Sequence, residues 1–142
     1  MPRQVVGELE PREAATLEDV ERGRERGARF YGAVLGSSGR RVSPGRHYFD
    51  CEGVILACFD PRADGEGRDA KPNPEPLYLA VDDLPAVYAA VQAAGAKLAE
   101  GSPPMVGPLG RIAKRPWGEE SFYASDPFGN PLCFVSRPTV FR

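Results

Sequence analysis

Residues 116–135 read PWGEESFYASDPFGNPLCFV, two alternating runs joined by a turn with nothing to spare between them. Phe122 and Ala124 alternate with Tyr123 and Ser125. Asp126-Pro127-Phe128-Gly129-Asn130 then supplies turn chemistry, and Leu132 and Phe134 resume the apolar face around Cys133. This spacing predicts a β-hairpin in which Phe122, Ala124, Leu132 and Phe134 pack under helices while Tyr123, Ser125 and Cys133 look the other way. An approximate copy lies earlier in the chain. Setting Gly129 on Gly53 puts Asp126 on Asp50, Tyr123 on His47, Leu132 on Leu56 and Cys133 on Ala57. Val81-Asp82-Asp83-Leu84 opens a helical run as Leu17-Glu18-Asp19-Val20 does, so strand, helix and hairpin occur twice in one order, the pattern of a duplicated βαβββ module.

The remaining elements follow from periodicity. A helix is expected over 17–35, with Val20, Ala28, Tyr31, Val34 and Leu35 near one face and Gly36 as its stop. Strands are expected near 40–42, 47–50, 54–59 and 77–81, and a second helix has Leu84, Val87, Val91 and Ala94 on its core face, Asp83 as N-cap and Gly95 as its end. The first strand is either 4–8 or the apolar part of 14–17, with Pro11 between them. Residues 61–76, PRADGEGRDAKPNPEP, carry nothing more apolar than alanine and are expected to bury nothing, as a flexible connection or as a pocket lid. Residues 101–110 are expected as a loop, and 111–114 as a short edge. The whole, residues 1–142, makes one domain: module one about 12–60, the linker about 61–76 and module two about 77–136.

Composition removes several classes of function. A formal charge of −2 gives no electrostatic reason to bind nucleic acid or an anionic membrane. No apolar run approaches the length of a membrane span, and the opening MPRQVVGELEPRE lacks the apolar core of a signal peptide, so a cytoplasmic location is expected. Cys51, Cys58 and Cys133 cannot all pair within one chain and none lies in a CxxC arrangement, which argues against a disulfide framework or zinc ribbon.

Asp19-Val20-Glu21 leading to Arg29-Phe30-Tyr31-Gly32-Ala33-Val34-Leu35-Gly36, Val81-Asp82-Asp83-Leu84 leading to Gly95-Ala96, and Phe122-Tyr123-Ala124-Ser125-Asp126-Pro127-Phe128-Gly129-Asn130-Pro131 together resemble the vicinal oxygen chelate superfamily. That superfamily holds the glyoxalase I, bleomycin-resistance, fosfomycin-resistance and extradiol-dioxygenase proteins, and the likeness runs over 17–136. It implies an α+β fold of two βαβββ modules whose eight strands form a curved mixed sheet with a concave ligand cup. It also implies that a metal-dependent member places a histidine at the start of each module's first strand and a carboxylate on its last. Counted back from Asp19 and Asp83, the histidine positions fall on Arg12 and Pro76, and the carboxylate positions on Ala57 and Cys133. These side chains do not make a metal site, so no metal and no cofactor are expected. An improvised set of His47, Cys133 and Glu52 is the alternative.

By strand parity and the module copy, the expected ligand-binding residues are His47, Phe49, Tyr78, Tyr123, Ser125 and Cys133, with Trp117 at the rim or closing the hairpin end. Ala57 and Ala80 share that lining. His47, the only histidine, is either a satisfied strand residue or a hydrogen-bonding or proton-transferring group, and so the candidate catalytic residue. Cys133 reads better as a buried inert thiol than as a nucleophile served by His47. The functional expectation is a small-molecule-binding protein of the bleomycin-resistance type, with a lyase, isomerase or dioxygenase as the alternative. The resemblance further implies a homodimer.

Overall fold

The computed structural model describes the backbone of residues 3–8 and 17–141 and the side chains of 25–141. The chain divides into two compact units, Met1–Asn73 with Pro127–Asn130, and Pro74–Asp126 with Pro131–Arg142.

In the first unit, strand β1 (Arg3–Glu8) leads to helix α1 (Leu17–Leu35) and then to β2 (Arg40–Ser43), β3 (Arg46–Cys51) and β4 (Val54–Phe59). The sheet order is β1-β4-β3-β2, with β1 parallel to β4 and the other pairs antiparallel. Of the two N-terminal candidates, 4–8 is therefore the strand. Helix α1 runs unbroken past Gly23 and Gly27, and Phe30, Tyr31 and Val34 form its buried stripe. Gly36 ends it at φ 67°, a conformation that costs a residue without Cβ little.

The stretch expected to bury nothing does otherwise. Pro61 and Ala70 are buried, and Asp64 fastens the loop to the β2–β3 turn by accepting from Ser43 Oγ at 2.8 Å and from the Gly45 N–H at 2.8 Å. Gly45 permits that approach, since a Cβ there would lie 2.2 Å from the Asp60 carbonyl oxygen. Counting apolar residues misjudged this segment because its anchors are a carboxylate and a missing side chain rather than hydrophobic bulk.

The second unit repeats the plan. Strand β5 (Leu77–Val81) leads to helix α2 (Leu84–Ala93), then to β6 (Lys97–Leu98), β7 (Ala113–Lys114), β8 (Glu120–Ser125) and β9 (Pro131–Ser136), followed by a short 3-10 turn, Arg137–Thr139. Nine strands are described where eight were expected, β6 being a two-residue addition. β5 lies parallel to β9, β9 antiparallel to β8, and both β6 and β7 pair with β8. Asp83 caps α2 through the Ala86 N–H at 3.1 Å. Phe122 and Phe134 are fully buried and stacked at 5.2 Å, and Tyr88 of α2 meets Phe122 edge-on at 4.9 Å, so this pair faces the helix as the hairpin pattern required. Among the described residues no helix is long and apolar enough to cross a membrane.

Candidate functional site

Alternation places Tyr78, Tyr123 and Cys133 on the face of the second sheet away from α2. Tyr78 and Tyr123 are both register partners of Cys133, which sets the three in one row across β5, β9 and β8. The two tyrosine rings meet edge-on at 6.5 Å. Ser125 continues the face at the end of β8, half-buried.

Neither Tyr123 nor Cys133 is activated. Burial, followed by hydrogen bonding to Tyr78, pushes the Tyr123 phenol well above its usual range. Burial also pushes the Cys133 thiol up to about 11, against hydrogen bonds from Tyr123 and Ser121 that favour the thiolate. A thiol so held is a poor nucleophile near neutral pH. Ellman's reagent at pH 8 should accordingly modify the half-buried Cys51 first and leave Cys58 and Cys133 unmodified until the protein is unfolded. Rapid labelling of Cys133 in the folded protein would show the assignment to be wrong.

Below the row lies a residue that the sequence did not single out. Arg115 is 2% exposed and spends every donor of its guanidinium. Nε donates to Ser121 Oγ at 3.0 Å, Nη1 to the carbonyls of Val106 and Pro108 at 3.0 Å each, and Nη2 to those of Arg111 at 3.2 Å and Ser121 at 2.8 Å. Its carbon lies 5.4 Å from the centroid of Tyr123. One planar fork thus pins the 101–112 loop to β8 and backs the ring of Tyr123. No periodicity marks such a residue, because its partners are backbone carbonyls of a loop.

Trp117 sits in the β7–β8 connection, where Gly118 N–H donates to the Arg115 carbonyl at 2.9 Å and Arg115 N–H to that of Glu119 at 2.7 Å. It therefore closes the hairpin and also borders an open cleft of about 460 Å³ lined by Tyr78, Ala80, Trp117, Glu119, Val135, Val140 and Phe141. Glu119 organises the rim. One oxygen accepts from the Trp117 indole N–H at 2.7 Å and the other from the Phe141 N–H at 2.8 Å. Sequence reading reached Tyr78 and Trp117 but missed Glu119 and the C-terminal Val140–Phe141, which no alternation brings to the strand.

His47 and Phe49 are not on the corresponding face of the first unit. Phe49 is fully buried, 6.2 Å from Tyr31 of α1, and His47 lies beside it at 5.0 Å with Nε2 donating to the Ser38 carbonyl at 2.8 Å. Both point to the helix side, so the expected parity of β3 is reversed. The cause is the turn. Asp126–Asn130 connects β8 to β9, whereas only Glu52 and Gly53 connect β3 to β4, both at positive φ as a two-residue hairpin requires. The partner of Ala57 is Tyr48 and that of Cys133 is Tyr123, so Tyr48, not His47, matches Tyr123. An ungapped copy slips by one residue before the turn, and one residue inverts a strand face.

The positions at which the fold would hold a divalent ion carry residues unsuited to one. Tyr78 pairs with Cys133 as Val6 pairs with Ala57, so the β1 position that matches Pro76 is Gln4, while Arg12 lies outside the described residues. Pro76 and Ala57 carry no side-chain donor, which leaves too few ligands beside Cys133 for an ion that wants three or four. Glu52, named for an improvised site, stands exposed in the turn. Among the described residues no three His, Cys, Asp or Glu come together. These residues do not fit a divalent ion.

Comparison with solved structures places the fold. A glyoxalase/bleomycin resistance protein from Albidiferax ferrireducens T118 superposes with a TM-score of 0.66 at 20% identity, over 95% of this chain and 98% of the other. A glyoxalase-related enzyme from Fulvimarina pelagi gives 0.63 at 19% identity, over 97% and 88%. A lactoylglutathione lyase from Agrobacterium tumefaciens gives 0.60 at 15%, over 96% and 91%. No family model matches the sequence, and no curated protein matches it. The chain has the glyoxalase/bleomycin-resistance fold, as its repeated βαβββ pattern implied.

Proposed function

We propose that this protein binds a small organic molecule on the aromatic face of its second unit, without a divalent metal and without transforming it. The observation that carries this reading is the cleft lined by the aromatic Tyr78, Trp117 and Phe141 and the aliphatic Ala80, Val135 and Val140, with Glu119 among them. The groups that chemistry would need are disfavoured as anions: burial raises both the Cys133 thiol and the Tyr123 phenol above their usual ranges. His47, which the enzymatic alternative would use as base, is engaged with Ser38 next to the buried Phe49. We take the protein to be cytoplasmic and to act as a homodimer, which sedimentation at micromolar concentration tests directly.

Trp117 is the only tryptophan, so its emission reports on the cleft alone. Titration with a panel of small aromatic and alkyl compounds should give at least one saturable change in that emission. Thermal melts with nickel, zinc, manganese and ferrous ions should show no one-to-one stabilisation. An ion at 100 times its dissociation constant would add about 2.7 kcal/mol, and a gain of that order would refute the metal-free reading.

A further inference from the structure

We infer that the cleft in the second unit recognises an organic cation, an ammonium group carrying apolar substituents; this inference rests on the ligand-binding reading above and names the ligand's chemistry. Five large hydrophobic residues are conspicuously exposed among those described, and three of them, Tyr78 at 59%, Trp117 at 41% and Phe141 at 70%, line this one cleft. Three aromatic rings left in water around one hollow are surface that a ligand would cover. The negative faces of such rings attract a cation, most strongly one whose alkyl groups make it cheap to desolvate.

Charge selects the same class. Of the seven lining residues only Glu119 is ionisable to a full charge near neutral pH, and it is an anion. Both of its oxygens are held by neutral donors, the Trp117 indole and the Phe141 amide, which fix the carboxylate in place; among the described residues no cation is paired with it. The nearby guanidiniums are otherwise engaged: Arg137 with Asp82 at 2.7 Å, and Arg115 with four carbonyls and Ser121. Neither lines the cleft. Among the described lining residues an anionic ligand would meet a fixed carboxylate and no cationic side chain, and a neutral one would gain apolar contact and the Tyr78 hydroxyl but no charge pairing. A cation gains both the ring faces and the charge.

The test compares choline with its uncharged carbon isostere, dimethylbutanol, on the native protein by Trp117 emission and calorimetry. Choline should bind at least about tenfold more tightly, and added salt should weaken choline alone. In Glu119→Gln, checked for folding by thermal melt, one rim hydrogen bond is lost for either probe, so the reading is the difference: the affinity for choline should fall about tenfold more than that for the alcohol. Equal binding of the two probes by the native protein would overturn the inference whatever the variant does, and would leave the small-molecule reading standing. So would a panel in which neutral compounds move Trp117 emission and no ammonium compound does. A dimer whose Trp117 is already shielded and is indifferent to choline would overturn it in favour of a second copy of the chain as the occupant.

Discussion

Replacing Arg115 by methionine should unfold this protein more readily than any other single change outside the aromatic core. The substitution keeps much of the aliphatic bulk but strands the carbonyls of Val106, Pro108, Arg111 and Ser121, which the guanidinium now satisfies. A buried acceptor without a partner costs about 1–3 kcal/mol; the Ser121 carbonyl is buried in β8, while the other three are part-buried in one loop that can relax, so the expected total is about 3–5 kcal/mol. For a chain of this size that corresponds to a melting temperature lower by about 10 °C. Arg115→Lys should recover only part of the loss, because an ammonium has three donors and no fork. Its effect should also reach the ligand surface, since the guanidinium backs Tyr123 at 5.4 Å. A melt within about 1 kcal/mol of the native protein, for which surface substitutions are the reference, would show the loop to be held by something else.

The residues that were legible and those that were not differ in the physics that places them. Both helices, the β8–β9 hairpin and the doubled βαβββ order are written in apolar periodicity, and the caps Asp83 and Gly36 in backbone chemistry local to the element. The row Tyr78, Cys133 and Tyr123 needed only strand parity, which is also local. Arg115 and Glu119 were illegible because their partners come from loops whose course is settled by tertiary packing: a polar residue between two strands reads as surface until its acceptors are known. The 61–76 stretch was misread for the same reason, with Asp64 as its anchor. His47 and Phe49 failed differently. There the chain did carry the signal, in a turn of two residues against one of five, but a copy laid over without a gap erased it.

That inverted face makes a prediction of its own. Phe49→Ala should cost about 3–5 kcal/mol, as should Phe134→Ala, because each removes a fully buried ring whose cavity close packing cannot refill. Phe49 loses its contact with Tyr31 of α1, and Phe134 its stack on Phe122. Tyr48→Phe and Tyr123→Phe, at the matching positions of the opposite face, should cost no more than about 1 kcal/mol, since each keeps its ring and gives up one hydroxyl whose hydrogen bond is worth about that much. Chemical denaturation of the four variants would decide the matter, with midpoints compared at constant m-value. Were Phe49→Ala benign and Tyr48→Phe costly, β3 would present the face that an ungapped copy assigns to it. His47 would then leave the helix side of the first unit, and the case for binding without proton transfer, which leans on His47 being committed to Ser38, would fall with it.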